Sequence, residues 1–185
     1  MREKIGFNKG WFFRLADAEE FAKPEYNHDG WQALQLPHDW SIQYELREDA
    51  PTGGGGGYAV AGVGWYRKHF TFQKKHAEEK VFLVFDGIYM DSTIYLNGVK
   101  VGGREYGYSS FQVDITNALQ EGENLVAVRV DNSHQPNSRW YSGSGIYRNV
   151  WLIRTGAVYV DAWGVRCHTN GIYPEQNEAS LQINA

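Results

Sequence analysis

The stretch Asp91–Gly103, DSTIYLNGVKVGG, sets two short apolar-alternating segments, Thr93–Leu96 and Val99–Val101, on either side of Asn97-Gly98. Asn and Gly tolerate the positive φ that a two-residue hairpin turn demands, so the stretch reads as an antiparallel β-hairpin. Its neighbours repeat the pattern. Upstream, WYRKHFTF (Trp65–Phe72) ends at the charged, turn-like QKKHAEEK and is followed by the apolar run KVFLVFDGI. Downstream come SSFQVDIT, then NALQEGENLVAVRVDN with a break at Gly122 and a strand over Leu125–Val130, then NVWLIRT, AVYVDAWGVRC and ASLQINA. The first third is less regular: WFFRL (Trp11–Leu15) reads as an outer strand, a short helical turn precedes Pro24, and Trp31–Leu36 is extended into LPHDW, which reaches a sheet edge or rim. No stretch has helical period over three turns. Short strands between Gly-rich turns predict an all-β fold, a jelly-roll or β-sandwich.

Composition narrows the function. Seven Trp, twelve Tyr and nine Phe are favourable for stacking against a ring-bearing ligand such as a carbohydrate, although a β core also consumes aromatics. A net charge of −4 without a Lys/Arg run argues against nucleic acid. The single cysteine, Cys167, provides neither a disulfide framework nor a cysteine-based zinc site, and the six His show no ligand spacing, so no metal and no cofactor are expected. No run has membrane-spanning length and the N-terminus lacks a signal-type apolar region, so no membrane partner is expected; the compartment, periplasmic or cytoplasmic, stays open.

Five consecutive glycines, Gly53–Gly57, match no phosphate-cradling pattern and precede no helix. A strand starts directly after them, which disfavours a linker and leaves a surface loop: a structural connection or the rim of a site. The densest polar and aromatic cluster is DNSHQPNSRWYSGSGIYRNVWL (Asp131–Leu152). Arg139 beside Trp140 suits stacking and forked contacts to hydroxyls, but the residues alone favour a corner that anchors the loop to the core. His38 and Asp39 of LPHDW are a further polar pair. Asp39, Asp91, Glu105 and Asp131 are available carboxylates, but no spacing pairs two of them for glycoside chemistry.

Taken in order, GWFFRL, LPHDWSI, GGGGGYAVAGVGWYRKHF, VFLVFDGIYMDSTIYLNGVKVGGREYGYSSFQVDIT, GENLVAVRVDN and SRWYSGSGIYRNVWL resemble the N-terminal sugar-binding jelly-roll domain of glycoside hydrolase family 2, most of all the β-galactosidases of gut-type bacteria. The resemblance implies a sugar-binding domain over residues 1–155, and similarity of VDAWGV to the first strand of the next domain implies that 156–185 begin an immunoglobulin-like unit or add strands to the sandwich. It further implies that the two catalytic Glu lie on a TIM barrel beyond this stretch, so the domain is non-catalytic and its partners are a β-galactoside or related sugar and the remaining domains of its parent, whose homo-oligomerisation stays open. A lectin-like module, or the same domain of a β-glucuronidase or β-mannosidase, is the alternative. Family members place a polar residue ahead of the GWYR-type strand and an acidic one ahead of the SGIYR-type turn; here Ala61-Gly62-Val63 has no Asn and Ser138-Arg139-Trp140 has no Asp. Substrate contact is therefore expected from His38, Asp39, Asp131, Asn132, Arg139 and Trp140. The glycine run is expected to be a mobile rim.

Overall fold

The computed structural model describes residues 2–138 and 140–185. Among the described residues, twelve strands occur in chain order: β1 (Glu3–Gly6), β2 (Trp11–Leu15), β3 (Gln32–Leu34), β4 (Gly62–Phe72), β5 (Lys80–Phe85), β6 (Ser92–Leu96), β7 (Val99–Arg104), β8 (Phe111–Asp114), β9 (Gly122–Asn132), β10 (Val150–Thr155), β11 (Arg166–Tyr173) and β12 (Glu178–Asn184). Two antiparallel sheets, β1-β10-β5-β8 and β3-β2-β4-β9-β6-β7, form a sandwich, and β11 and β12 pair only with each other. The helical segments among the described residues are short 3-10 turns.

The period-two pattern explains how the sheets meet. Along β9, Val126, Val128 and Val130 pack with Ile94 and Leu96 of β6 against Leu83 and Phe85 of β5 and Val113 of β8 in the core between the sheets. The β6–β7 turn is the two-residue hairpin expected, with Asn97 at φ 51° and Gly98 at φ 82°.

The outer face of the six-stranded sheet is not left to solvent. Residues between β2 and β3 lie across it as a strap, burying Phe21, Ala22 and Trp31 against Trp65 and Ala127. Arg67, fully buried, fixes the strap: its guanidinium donates to the Phe21 carbonyl, to the Lys23 carbonyl at 3.0 Å and to the Tyr26 carbonyl at 3.0 Å.

Three local expectations change. β2 is not an outer strand, because β3 pairs along its far side. The strand expected over AVYVDAWGVRC does not start at Ala157: a turn closes between Asp161 and Gly164, Trp163 takes φ 56°, and the strand starts only at Arg166. Finally, LPHDW does reach the loops at one end of the sandwich, but His38 and Trp40 turn inward and are buried.

Candidate functional site

Strand direction gathers four loops at one end. β4 begins where β9 ends, with Gly62 opposite Asn132, and β6 begins where β7 ends, with Ser92 opposite Arg104. In the other sheet, Phe85 at the end of β5 faces Val150 and Phe111. The connections 43–61, 86–91, 105–110 and 133–149 therefore converge, and an isolated bridge between Tyr89 and Gly145 ties two of them together.

Asp39 is the centre of this assembly. Its Oδ1 accepts from the Ser41 amide at 3.0 Å, the Ser144 amide at 2.8 Å and the Ser41 hydroxyl, while Oδ2 accepts from Tyr141 Oη at 2.8 Å. The first of these caps the 3-10 turn Trp40–Ile42. Both oxygens thus serve to hold the 141–144 segment in place. Gly143 packs so closely that any Cβ would collide with Oδ2.

His38 sits behind this network, its ring against Phe13 and its Nδ1 2.7 Å from Tyr66 Oη. The Ile146 amide donates to the same phenol oxygen at 3.4 Å, so the phenol links the imidazole to the backbone after Gly145. Burial pushes the His38 pKa below its usual value, offset only in part by the Gln43 side chain and the Asp39 charge, which favour the protonated ring.

Asn132, buried, braces the long β9–β10 loop from inside. Its Oδ1 accepts from Gln135 and Asn137, each at 2.8 Å, and its Nδ2 donates to Ser144 Oγ at 2.8 Å. Next to it, burial pushes the Asp131 carboxyl up, but hydrogen bonds from Ser133 and the guanidinium of Arg129 outweigh burial and hold it below the usual carboxylate range. Asp131, Asn132, Asp91, Glu105, His134 and Asn137 line a hollow of about 230 Å³. Among the described residues no group of three or more His, Cys, Asp or Glu is placed to hold a metal, and no helix is long and apolar enough to cross a membrane.

Trp140 faces solvent, 63% exposed. Its indole donates to Tyr108 Oη at 3.3 Å, and Tyr58, Tyr106, Tyr108 and Tyr141 are exposed on the same loops. Arg139 lies outside the described residues. The expected site residues thus divide. Asp39, Asn132 and Trp140 meet on the β9–β10 loop, His38 supports it from the core, and Asp131 borders the adjoining hollow. Tyr108 was missed by sequence reasoning, although EYGYSS between two strands is a legible aromatic loop. The glycine run is a folded element: Gly54–Gly56 form a 3-10 turn, Thr52 is buried with its hydroxyl on the Ala59 carbonyl at 2.9 Å, and Gly55 lies beside the Ser138 carbonyl.

Residues 5–156 match the family model described as glycosyl hydrolases family 2, sugar binding domain. A β-galactosidase of Bacteroides ovatus is 48% identical over 187 residues, covering 99% of this chain and 22% of that protein. A putative β-glucuronidase of Formosa agariphila is 39% identical, covering 97% of this chain and 17% of that protein. Among solved structures, a β-glycosidase from Bacteroides vulgatus superposes with a TM-score of 0.87 at 38% identity, covering 98% of this chain and 24% of that one. A β-glucuronidase from Bacteroides uniformis superposes with a TM-score of 0.84 at 27% identity, covering 99% of this chain and 22% of that one. The chain therefore spans about a fifth of the length of these relatives.

Proposed function

This chain belongs to glycosyl hydrolase family 2 as its sugar-binding domain, and from that premise we propose that it serves a retaining β-galactosidase, holding and orienting the galactoside while other domains break the bond. The observation that carries the reading is the 48% identity to a β-galactosidase across 99% of the chain, against 39% to the β-glucuronidase-named relative. Retaining hydrolysis uses two carboxylic residues about 5 Å apart, one as nucleophile and one as acid then base. In this reading both belong to a partner domain, and the loops around Asp39, Asn132 and Trp140 form one wall of the pocket. Such a wall contributes by restricting the orientation of the sugar and excluding water, which lowers the barrier without covalent chemistry. Residues 156–185 are the opening of the next, immunoglobulin-like domain; in support, β11 and β12 hydrogen-bond only to each other and leave Ile172, Leu181 and Ile183 exposed.

The test is turnover by the protein in which this chain occurs, given an aryl β-galactoside and the matching β-glucuronide, with the first-formed sugar followed by NMR. Preferential release of β-galactose is expected. Preference for the glucuronide would transfer the domain to a β-glucuronidase, and inverted product would remove the retaining mechanism.

A further inference from the structure

We propose that Trp140 and Tyr108 form a fixed stacking platform for a pyranose ring, so that this end of the domain selects saccharides of several units over a single galactose. The inference rests on the sugar-binding reading above and adds a subsite and a ligand class to it.

The argument starts from the cost of exposing a large ring. An indole that is 63% exposed leaves most of its apolar surface wet, and such surface in a rigid setting is suited to binding. Here the ring is held by its polar edge: Nε1 donates to Tyr108 Oη at 3.3 Å. Tyr108 is 48% exposed and rests edge-on against the buried Tyr89, with ring centroids 5.1 Å apart at 61°. The Tyr108 oxygen also lies 3.4 Å from Ser142 Oγ, Ser142 lies 3.0 Å from Ser138 Oγ, and that hydroxyl donates to the Trp140 carbonyl at 2.6 Å. The hydrogen bonds close a small cycle that fixes both rings before any ligand arrives, which reduces the ordering cost of binding.

The surroundings point to a sugar. A pyranose offers one apolar C–H face and a periphery of hydroxyls, so it needs an aromatic face bordered by short donors and acceptors. Ser138 and Ser142 supply hydroxyls beside the rings, and Asn137 adds an amide whose Oδ1 accepts from Tyr89 Oη at 3.3 Å. A hollow of about 230 Å³ bordered by Asp131 and Asn137 is built from the same β9–β10 loop and offers polar side chains to a further saccharide unit.

The test uses this chain with galactose and with β-galacto-oligosaccharides of two, three and four units, followed through the indole N–H signals. The Trp140 signal is assigned by its loss in Trp140→Phe. The longer saccharides should shift that signal and bind about fivefold more tightly than galactose, a gain that Trp140→Ala erases and Trp140→Phe largely keeps. Saccharide-induced shifts elsewhere with the Trp140 signal unmoved, or equal affinity for galactose and the longer chains, would overturn the platform while leaving the sugar-binding reading intact. No shift anywhere with any saccharide would overturn both.

Discussion

Tyr141 and Asp39, 102 residues apart in the sequence, are joined by a 2.8 Å hydrogen bond from the phenol to Oδ2, while Oδ1 of the same carboxylate accepts the Ser144 amide at 2.8 Å. One side chain thus ties the LPHDW segment to the most aromatic loop of the molecule. Asp39→Ala should lower unfolding free energy by about 2 kcal/mol, because two amides and a phenol lose a charged acceptor in a half-buried place. Asp39→Asn, which keeps a carbonyl oxygen toward the amides, should lose less. Urea midpoints of the two variants decide this, and equal midpoints for Asp39→Ala and the unaltered chain would remove the tie.

Gly143 gives an independent check on that packing. Because a Cβ there collides with Asp39 Oδ2, Gly143→Ala should destabilise by about 1–3 kcal/mol in the unaltered chain. Placed in the Asp39→Ala background, the same change loses its three nearest contacts and should cost markedly less. A double-mutant cycle measures the difference directly, and strict additivity would contradict the geometry.

Those contacts also mark where sequence reasoning stops. The Asn97-Gly98 hairpin was legible because the turn chemistry and the flanking alternation are local, and both reappear with positive φ at the two turn residues. Short apolar and β-branched runs between turn signals likewise exposed β4, β5, β9 and β10. The position of β2 was not legible, since only the pairing of β3 with it makes it internal. His38 and Asp39 were visible as a polar pair, but their partners Tyr66, Tyr141 and Ser144 lie 28, 102 and 105 residues away, and no spacing rule reaches that far. Nothing local to Arg67 signals that a strap will cover it: its carbonyl partners lie 41 to 46 residues away.

That strap yields a prediction of its own. Arg67→Met keeps much of the aliphatic length but leaves the carbonyls of Phe21, Lys23 and Tyr26 without their donor. A loss of about 3 kcal/mol is expected, since the orphaned Phe21 acceptor is buried, the Lys23 and Tyr26 acceptors are partly buried, and each loses a charged donor. Hydrogen exchange should locate the damage: amides of residues 19–31 should lose protection before those of β9. Uniform loss across the sandwich would show that Arg67 supports the whole sheet rather than the strap.

Stability should also fall on mild acidification. Burial lowers the pKa of His38, and burial followed by the charge of Arg67 lowers those of His28 and His69, whose rings stack at 5.3 Å, with His69 depressing His28 further. Each folded-state pKa lies below its unfolded value of about 6.5, so the unfolded chain takes up protons first as pH drops. The stabilising contribution is complete above about pH 7 and declines from there toward the folded pKa values. Urea midpoints should decrease between about pH 7 and pH 5, and His38→Gln should flatten part of that slope. A slope that steepens in His38→Gln would contradict a neutral, buried imidazole.

Asn132 connects stability to binding. Its amide oxygen receives Gln135 and Asn137 while its nitrogen holds Ser144, so both ends of the loop that presents Trp140 converge on one buried side chain. Asn132→Ala should destabilise by about 2 kcal/mol and, more tellingly, raise hydrogen exchange within 133–138 and 141–146 more than in the strands. Asn132→Asp keeps the acceptor for Gln135 and Asn137 but loses the donor to Ser144, so it should free the second half of the loop and spare the first. If sugar contact depends on a pre-set loop, Asn132→Ala should weaken saccharide binding even though its side chain is buried away from solvent, because the ordering cost is then met at the moment of binding. Unchanged affinity in a variant with raised loop exchange would mean that the loop orders around the sugar at no measurable cost, and that the bracing by Asn132 serves the fold alone.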